Sequence, residues 1–329
     1  MGLPSRAQGA AGPSSPTSPG HRLARQRRGA PRPPPRASTR ARATDLLELL
    51  AGERGLGPAP VAVRVRELPG RGRGLVSAWD IGEDETILSL PLGSCIVGPP
   101  ERDPAGHWAV PLALRLLDAL RADAGMRVSW LPYLPPLGFA VPLVSGAPGA
   151  WSEDVAAESR LLRGGLADAL GDAGRRAEVE GAARVVGGAM ARLGWRGEGG
   201  APTAPEVLEW ACSLAVSRSF LAPVYGSGAD GYAHVCPPGL DLCNHAGPGA
   251  ANAYVSLTHG VDSCQGARAT AEVCPGGAGP GAGAGRFEGS VLELVAGPGG
   301  VAEGEEVTFS YGAAWADDVF LACYGFVPE

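Results

Sequence analysis

The chain contains no lysine: all 28 of its Lys+Arg residues are arginine. With 51 Gly and 31 Pro in 329 residues, this usage fits GC-rich coding and carries no structural meaning. A run of about 18 uninterrupted apolar residues is also missing, which predicts no membrane-spanning helix. Charged residues are few, 19% against 45% hydrophobic, and the length suffices to bury a substantial core. Acidic residues are absent from positions 1–44, which hold nine arginines. Subtracting these nine from 28 leaves 19 Arg against 34 acids, a formal −15 with His neutral. An acidic body argues against broad contact with nucleic-acid phosphates and favours a basic or lysine-bearing partner. Cysteines are scattered (Cys95, Cys212, Cys236, Cys243, Cys264, Cys274, Cys323), odd in number, and follow no secretory signal. They predict reduced thiols in an intracellular compartment.

What is present changes character along the chain. Residues 1–44 are rich in Arg, Ala, Ser and Pro without apolar periodicity, and predict either a disordered basic tail or an organelle transit peptide, plastid ahead of mitochondrion. A short helix is expected over 44–55, with Thr44 as N-cap. "VAVRVREL" alternates with period two and puts Val61, Val63 and Val65 on one strand face. "RGRGL" reads as a Gly-rich bend and "ETILSLPL" as another strand. Residues 101–202 turn helical. "WAVPLALRLLDALRADA" carries Val110, Ala113, Leu114, Leu117 and Leu120 at helical spacing, and 152–194 continue with Ala-rich helices. Thr203 and Glu206 stand at capping-box spacing before the apolar helix "EVLEWACSLAVSRSF". Strands return in "ANAYVSL", "SVLELVA" and "EEVTFSYG", with a Gly-rich surface loop at 275–285. The expected regions are 1–44, 45–100, 101–202 and 203–329, in a mixed α+β fold with a helical insertion.

The stretch "HVCPPGLDLCNHAGPGAANAYV" places two cysteines and two histidines within twelve residues. Structural zinc prefers paired C-x₂₋₄-C or H-x₃₋₅-H knuckles, and neither spacing occurs here. A nucleophile with its base is a second reading, although a cysteine two residues from a histidine points the same way as it only on an extended chain. A small buried Cys beside a hydrogen-bonded core His is the third. Residue types alone leave all three open.

Four separated stretches resemble a SET domain, the fold of protein lysine methyltransferases that use S-adenosylmethionine. They are "GRGLVSAWDIGEDETILSLP", "LDLCNHAGPGAANAYV", "GEEVTFSYG" and "LACYGFV". "WLPYLPPL" and "WACSLAVSRSF" resemble the subgroup typified by the plastid methyltransferase of the Rubisco large subunit. The resemblance covers about 45–329 and stops short of that subgroup's helical C-terminal substrate-binding domain.

It implies short sheets with a knot-like closing segment and transfer of a methyl group to a lysine of a non-histone, plastid protein. It implies S-adenosylmethionine as cofactor and no metal. The expected partner is a protein, with no nucleic acid or membrane, and the expected state is a monomer. It also implies site residues. Arg71, Gly72 and Arg73 would hold the cofactor through their backbone. Asn244 and His245 would meet its adenine and amino-acid portions, Arg218 its carboxylate, and Tyr254 would lie nearby. Tyr311 would orient the reacting amine, facing the same way as Val307 and Phe309. Phe220, Asp241 and Tyr324 would line the lysine channel. The related actin-histidine methyltransferase carries Asn where Phe220 stands, so lysine is expected over histidine, with a non-catalytic scaffold as the further alternative.

Overall fold

The computed structural model describes residues 62–100, 106–146, 151–195, 201–224, 232–247, 249–258, 290–312 and 315–328. The expected tail, the helix over 44–55, Val61, the Gly-rich loop, Cys264 and Cys274 lie outside them.

Period-two patterning does produce the first strand: β1 (Val63–Leu68) buries Val63 and Val65 and exposes Arg64 and Glu67. A turn follows in which Gly70 has φ +75°. The chain then returns as β2 (Gly72–Ser77), antiparallel to β1 from Leu68↔Gly72 to Val63↔Ser77. "RGRGL" is therefore mostly strand rather than bend, because pairing along β1 satisfies backbone groups that a bend would leave open. Next come β3 (Thr86–Pro91) and β4 (Ile96–Pro100).

Helices occupy the middle of the chain. In α1 (Ala109–Ala122) the buried face is Val110, Leu112, Ala113, Leu116, Leu117 and Leu120. The expected Leu114 is only half-buried, and Leu116 takes its place in the core. Short α2 (Ala124–Ser129) and α3 (Pro142–Ser145) lead to α4 (Glu153–Gly171) and α5 (Ala173–Arg192). In α6 (Ala204–Arg218) the capping box forms: the Thr203 N–H donates to Glu206 at 2.7 Å and the Glu206 N–H to Thr203 Oγ1 at 3.5 Å. Apolar residues surround α6, and it is accordingly the buried axis on which α1, α5 and α3 pack.

The remaining elements are β5 (Phe220–Ala222), β6 (Ala233–Cys236), β7 (Asn244–His245), β8 (Ala253–Thr258), β9 (Val291–Ala296), β10 (Glu306–Phe309) and α7 (Asp317–Tyr324). Three short sheets result, ordered β1-β2-β10-β7, β3-β9-β8 and β4-β6-β5. This is the mixed α+β fold expected. Arg73 ties the first sheet to the helices, donating to the carbonyls of Pro132 at 3.0 Å and Leu134 at 3.4 Å. Among the described residues no helix is long and apolar enough to cross a membrane.

Two histidines sit at the junction of α1 and β6. His107 accepts from the Ala109 N–H at its Nδ1 and places Nε2 3.2 Å from Glu158. His234 stacks on Trp108 with ring centroids 3.4 Å apart. Burial lowers His107 to about 4. Burial, and secondarily His107, lowers His234 to about 3. Below the ordinary histidine value of 6.5 the unfolded chain binds protons that the folded chain refuses. Stability is thus fully present above that pH and is lost as pH falls toward 4, by about 1.4 kcal/mol per pH unit and histidine. Urea unfolding at pH 7.5 and 5.5 should show a loss of about 3 kcal/mol, and His107→Gln with His234→Gln should flatten it.

Candidate active site

The Asn-His segment is held by an unusual partner. β7 is only two residues long and pairs parallel with β10, Asn244 opposite Thr308 and His245 opposite Phe309. So short a pairing is marginal alone, and side chains complete it. The Glu306 carboxylate accepts from Asn244 Nδ2 at 2.8 Å and pairs with Arg71 Nη1 at 3.0 Å. Arg71 Nη2 in turn donates to the His245 carbonyl at 2.5 Å. Gly74 lets this happen, since a Cβ there would lie 2.8 Å from Asn244 Nδ2 and 2.6 Å from Leu68.

Tyr311 joins this cluster to a cavity. Its N–H donates to His245 Nδ1 at 3.1 Å and its hydroxyl to the Cys243 carbonyl at 2.7 Å. Burial raises the phenol above its ordinary value, with Cys243 a further cause, so it remains a neutral donor. β10 ends at Phe309, so Tyr311 lies just past the strand rather than on it, yet the rings of Phe309 and Tyr311 stay 5.1 Å apart. α7 closes the other side: Tyr324 packs 4.8 Å from Tyr311 and Phe320 lies 4.9 Å from His245.

The cavity, of about 830 Å³, is lined by Tyr311, Tyr324, Phe220, Asp241, Arg218 and Tyr254 among others. All the expected channel residues therefore meet in it. Arg71, Gly72, Arg73, Asn244 and His245 do not line it: Arg71, Asn244 and His245 form the cluster around Glu306, whereas Gly72 and Arg73 pair with β1 outside that cluster. Asp241 is fully buried and multiply held, accepting from the Gly239 N–H at 2.7 Å, from Trp130 Nε1 at 3.3 Å and from Arg218 Nη1 at 3.0 Å. Burial raises its pKa while Arg218 and these donors oppose the rise. Arg218 thus already carries one carboxylate, but its buried Nε has no hydrogen-bond partner. Tyr254 is exposed at the cavity edge and donates to Asp84 at 3.1 Å.

The cysteine and histidine that raised a metal or a nucleophile are engaged with other partners: the Cys243 thiol with the Val307 carbonyl and His245 Nδ1 with the Tyr311 N–H. Among the described residues no His/Cys/Asp/Glu group has metal-holding geometry. The Cys243 thiol is buried, donates to the Val307 carbonyl at 3.0 Å and is pushed well above its ordinary pKa by burial, so it is no thiolate. Its carbonyl, not its sulfur, faces Tyr311. Two contributors were assigned no role from the sequence, Glu306 and Trp130. Both stand in motif stretches, "GEEVTFSYG" and "WLPYLPPL", but their contacts with Asn244 and Asp241 span long stretches of chain.

Removing one partner of a buried ion pair strands the other charge, at a cost of about 3 kcal/mol. Arg218→Met should lower stability by about that amount at pH 7.5 and less at pH 5, where Asp241 can protonate and become neutral. Denaturant unfolding at both pH values measures this.

No protein-family model and no curated protein matches the sequence. Solved structures do. One described as the SET domain of LSMT bound to lysine and AdoHcy is 19% identical with a TM-score of 0.48, covering 88% of this chain and 58% of that one. One of Rubisco LSMT bound to AdoMet is 18% identical with a TM-score of 0.45, covering 87% and 56%. One of Rubisco LSMT bound to sinefungin and monomethyllysine is 17% identical with a TM-score of 0.47, covering 87% and 56%. The chain spans a little over half the length of these matched chains.

Proposed function

We propose that the protein transfers a methyl group from S-adenosylmethionine to the side-chain amine of a protein lysine. The observation that carries this reading is Tyr311, which lines the cavity while its N–H is bound to His245 and its hydroxyl to the Cys243 carbonyl. That arrangement suits a reaction with two partners approaching from two sides.

Bound S-adenosylmethionine would supply an electrophilic methyl group on a sulfonium: a neutral amine would attack that carbon in line, forming the C–N bond as the C–S bond breaks and the thioether S-adenosylhomocysteine leaves. The amine must arrive without its proton. A free lysine at pH 7 pays about 4–5 kcal/mol for that, which an apolar channel reduces by disfavouring the ammonium. Phe220, Tyr324 and Tyr311 form such walls. The Tyr311 hydroxyl and the Cys243 carbonyl give the amine polar groups to align on. Arg218 fits a cofactor carboxylate because its Nε is buried without a partner. Asn244 and His245, held in place by Glu306 and Arg71, would meet the remainder, with Gly72 and Arg73 alongside them on β2 and Tyr254 at the edge.

Phe220 favours lysine over histidine, since an aromatic wall suits an alkylammonium stem and offers imidazole no polar partner. A non-histone, plastid substrate rests on the composition of residues 1–44 and belongs to the same proposal.

Incubation with labelled S-adenosylmethionine and plastid extract should label protein lysines, and Tyr311→Phe should reduce the rate by about 100-fold or more. The chain has no lysine to label itself. Wild type labelling no more than Tyr311→Phe would exclude catalysis and leave a binding scaffold.

A further inference from the structure

Arg218 ends α6 and lines the cavity. Its Nη1 donates at 3.0 Å to the Asp241 carboxylate and at 3.0 Å to the Asp241 carbonyl. Its buried Nε has no hydrogen-bond partner among the described residues. The direction of the guanidinium therefore follows the orientation of Asp241.

Asp241 is fully buried, and three donors set its carboxylate. The Gly239 N–H binds Oδ1 at 2.7 Å and Arg218 binds Oδ2. Trp130 spans the two, with Nε1 3.3 Å from each oxygen. A donor shared by both oxygens lies against the carboxylate edge and opposes rotation about the Cβ–Cγ bond, the motion that would swing Arg218. Trp130 is itself clamped. It is fully buried just after α2, and the loop it opens is held from two sides. Arg73 on β2 donates to the carbonyls of Pro132 and Leu134, and Trp210 on α6 donates from Nε1 to the Pro135 carbonyl at 3.0 Å. Packing alone would accept any ring of this size here. The indole N–H is what the buried carboxylate uses.

We infer that Trp130 is a positioning residue for the cofactor: from the helical insertion it orients the Asp241 carboxylate, and through it the Arg218 guanidinium that meets the carboxylate of S-adenosylmethionine. The inference rests on the proposed cofactor role of Arg218. It gives the helical insertion a part in cofactor binding, although Trp130, buried under Asp241, does not line the cavity.

Calorimetric titration of S-adenosylhomocysteine against Trp130→Phe and Trp130→His tests it without turnover. Phenylalanine keeps an apolar ring and removes the donor. Its dissociation constant should rise by about fivefold or more, the worth of one hydrogen bond to a charged group, with the stoichiometry of binding unchanged. A merely structural Trp130 would lower the stoichiometry, which counts folded chains, and leave the dissociation constant at the wild-type value. That result overturns the inference. Histidine packs worse, but its ring superposes on the pyrrole half of the indole and brings Nε2 to the place of Nε1. Trp130→His should therefore bind more tightly than Trp130→Phe, and the reverse order overturns the inference as well. In an Asp241→Asn background Trp130→Phe should weaken binding by less than about twofold, because its effect runs through that carboxylate. An undiminished effect there means another route and contradicts the assignment. Wild type that binds no S-adenosylhomocysteine defeats the cofactor reading and this inference together, whereas equal affinity of wild type and Trp130→Phe defeats the inference alone.

Discussion

The site depends on one improbable pairing. Two residues, Asn244 and His245, lie parallel to β10, although a two-residue strand has too few backbone hydrogen bonds to hold itself. Glu306 makes the difference. Its carboxylate, on the strand that does the pairing, takes the Asn244 amide and the Arg71 guanidinium together, and Arg71 reaches on to the His245 carbonyl. Three segments far apart in the chain are thereby pinned at one point. Tyr311 is placed by this, because its N–H is bound to the imidazole that the pairing positions.

Placing polar groups in so enclosed a region has an electrostatic cost, and the chain meets it locally. Asp241 would be untenable as an isolated buried carboxylate, so Arg218, Trp130 and the Gly239 N–H surround it. His107 and His234 are buried as neutral rings instead. The cavity therefore keeps a mostly apolar interior in which the buried Asp241 charge is compensated by Arg218.

Features set by near neighbours were legible in the sequence. The alternation in β1, the capping box of α6 and the amphipathic α1 each depend on residues a few positions apart, and all three formed. The failures were also local in kind. "RGRGL" looked like a bend because its glycines were weighed and its pairing with β1 was not. Leu114 was assigned inward when the helix actually presents Leu116. Tyr311 was placed on a strand that stops two residues earlier. At the site, motif resemblance pointed to Tyr311, Phe220, Asp241 and Tyr324, and these do line one cavity. The grip of Glu306 on Asn244, 62 residues away, and of Trp130 on Asp241, 111 residues away, had no periodic signature. Nor could spacing decide that Cys243 matters through its carbonyl, since that follows from where Tyr311 closes over it.

The central claim is that the Asn-His cluster, held by Glu306 and joined to the cavity through Tyr311, is a binding site for S-adenosylmethionine. Isothermal titration calorimetry of S-adenosylhomocysteine against wild type and Asn244→Ala tests it most directly. The account predicts micromolar binding by wild type and at least a tenfold loss in the variant, about 1.4 kcal/mol. Absence of binding to the folded wild type, or equal affinity in the two proteins, would contradict it.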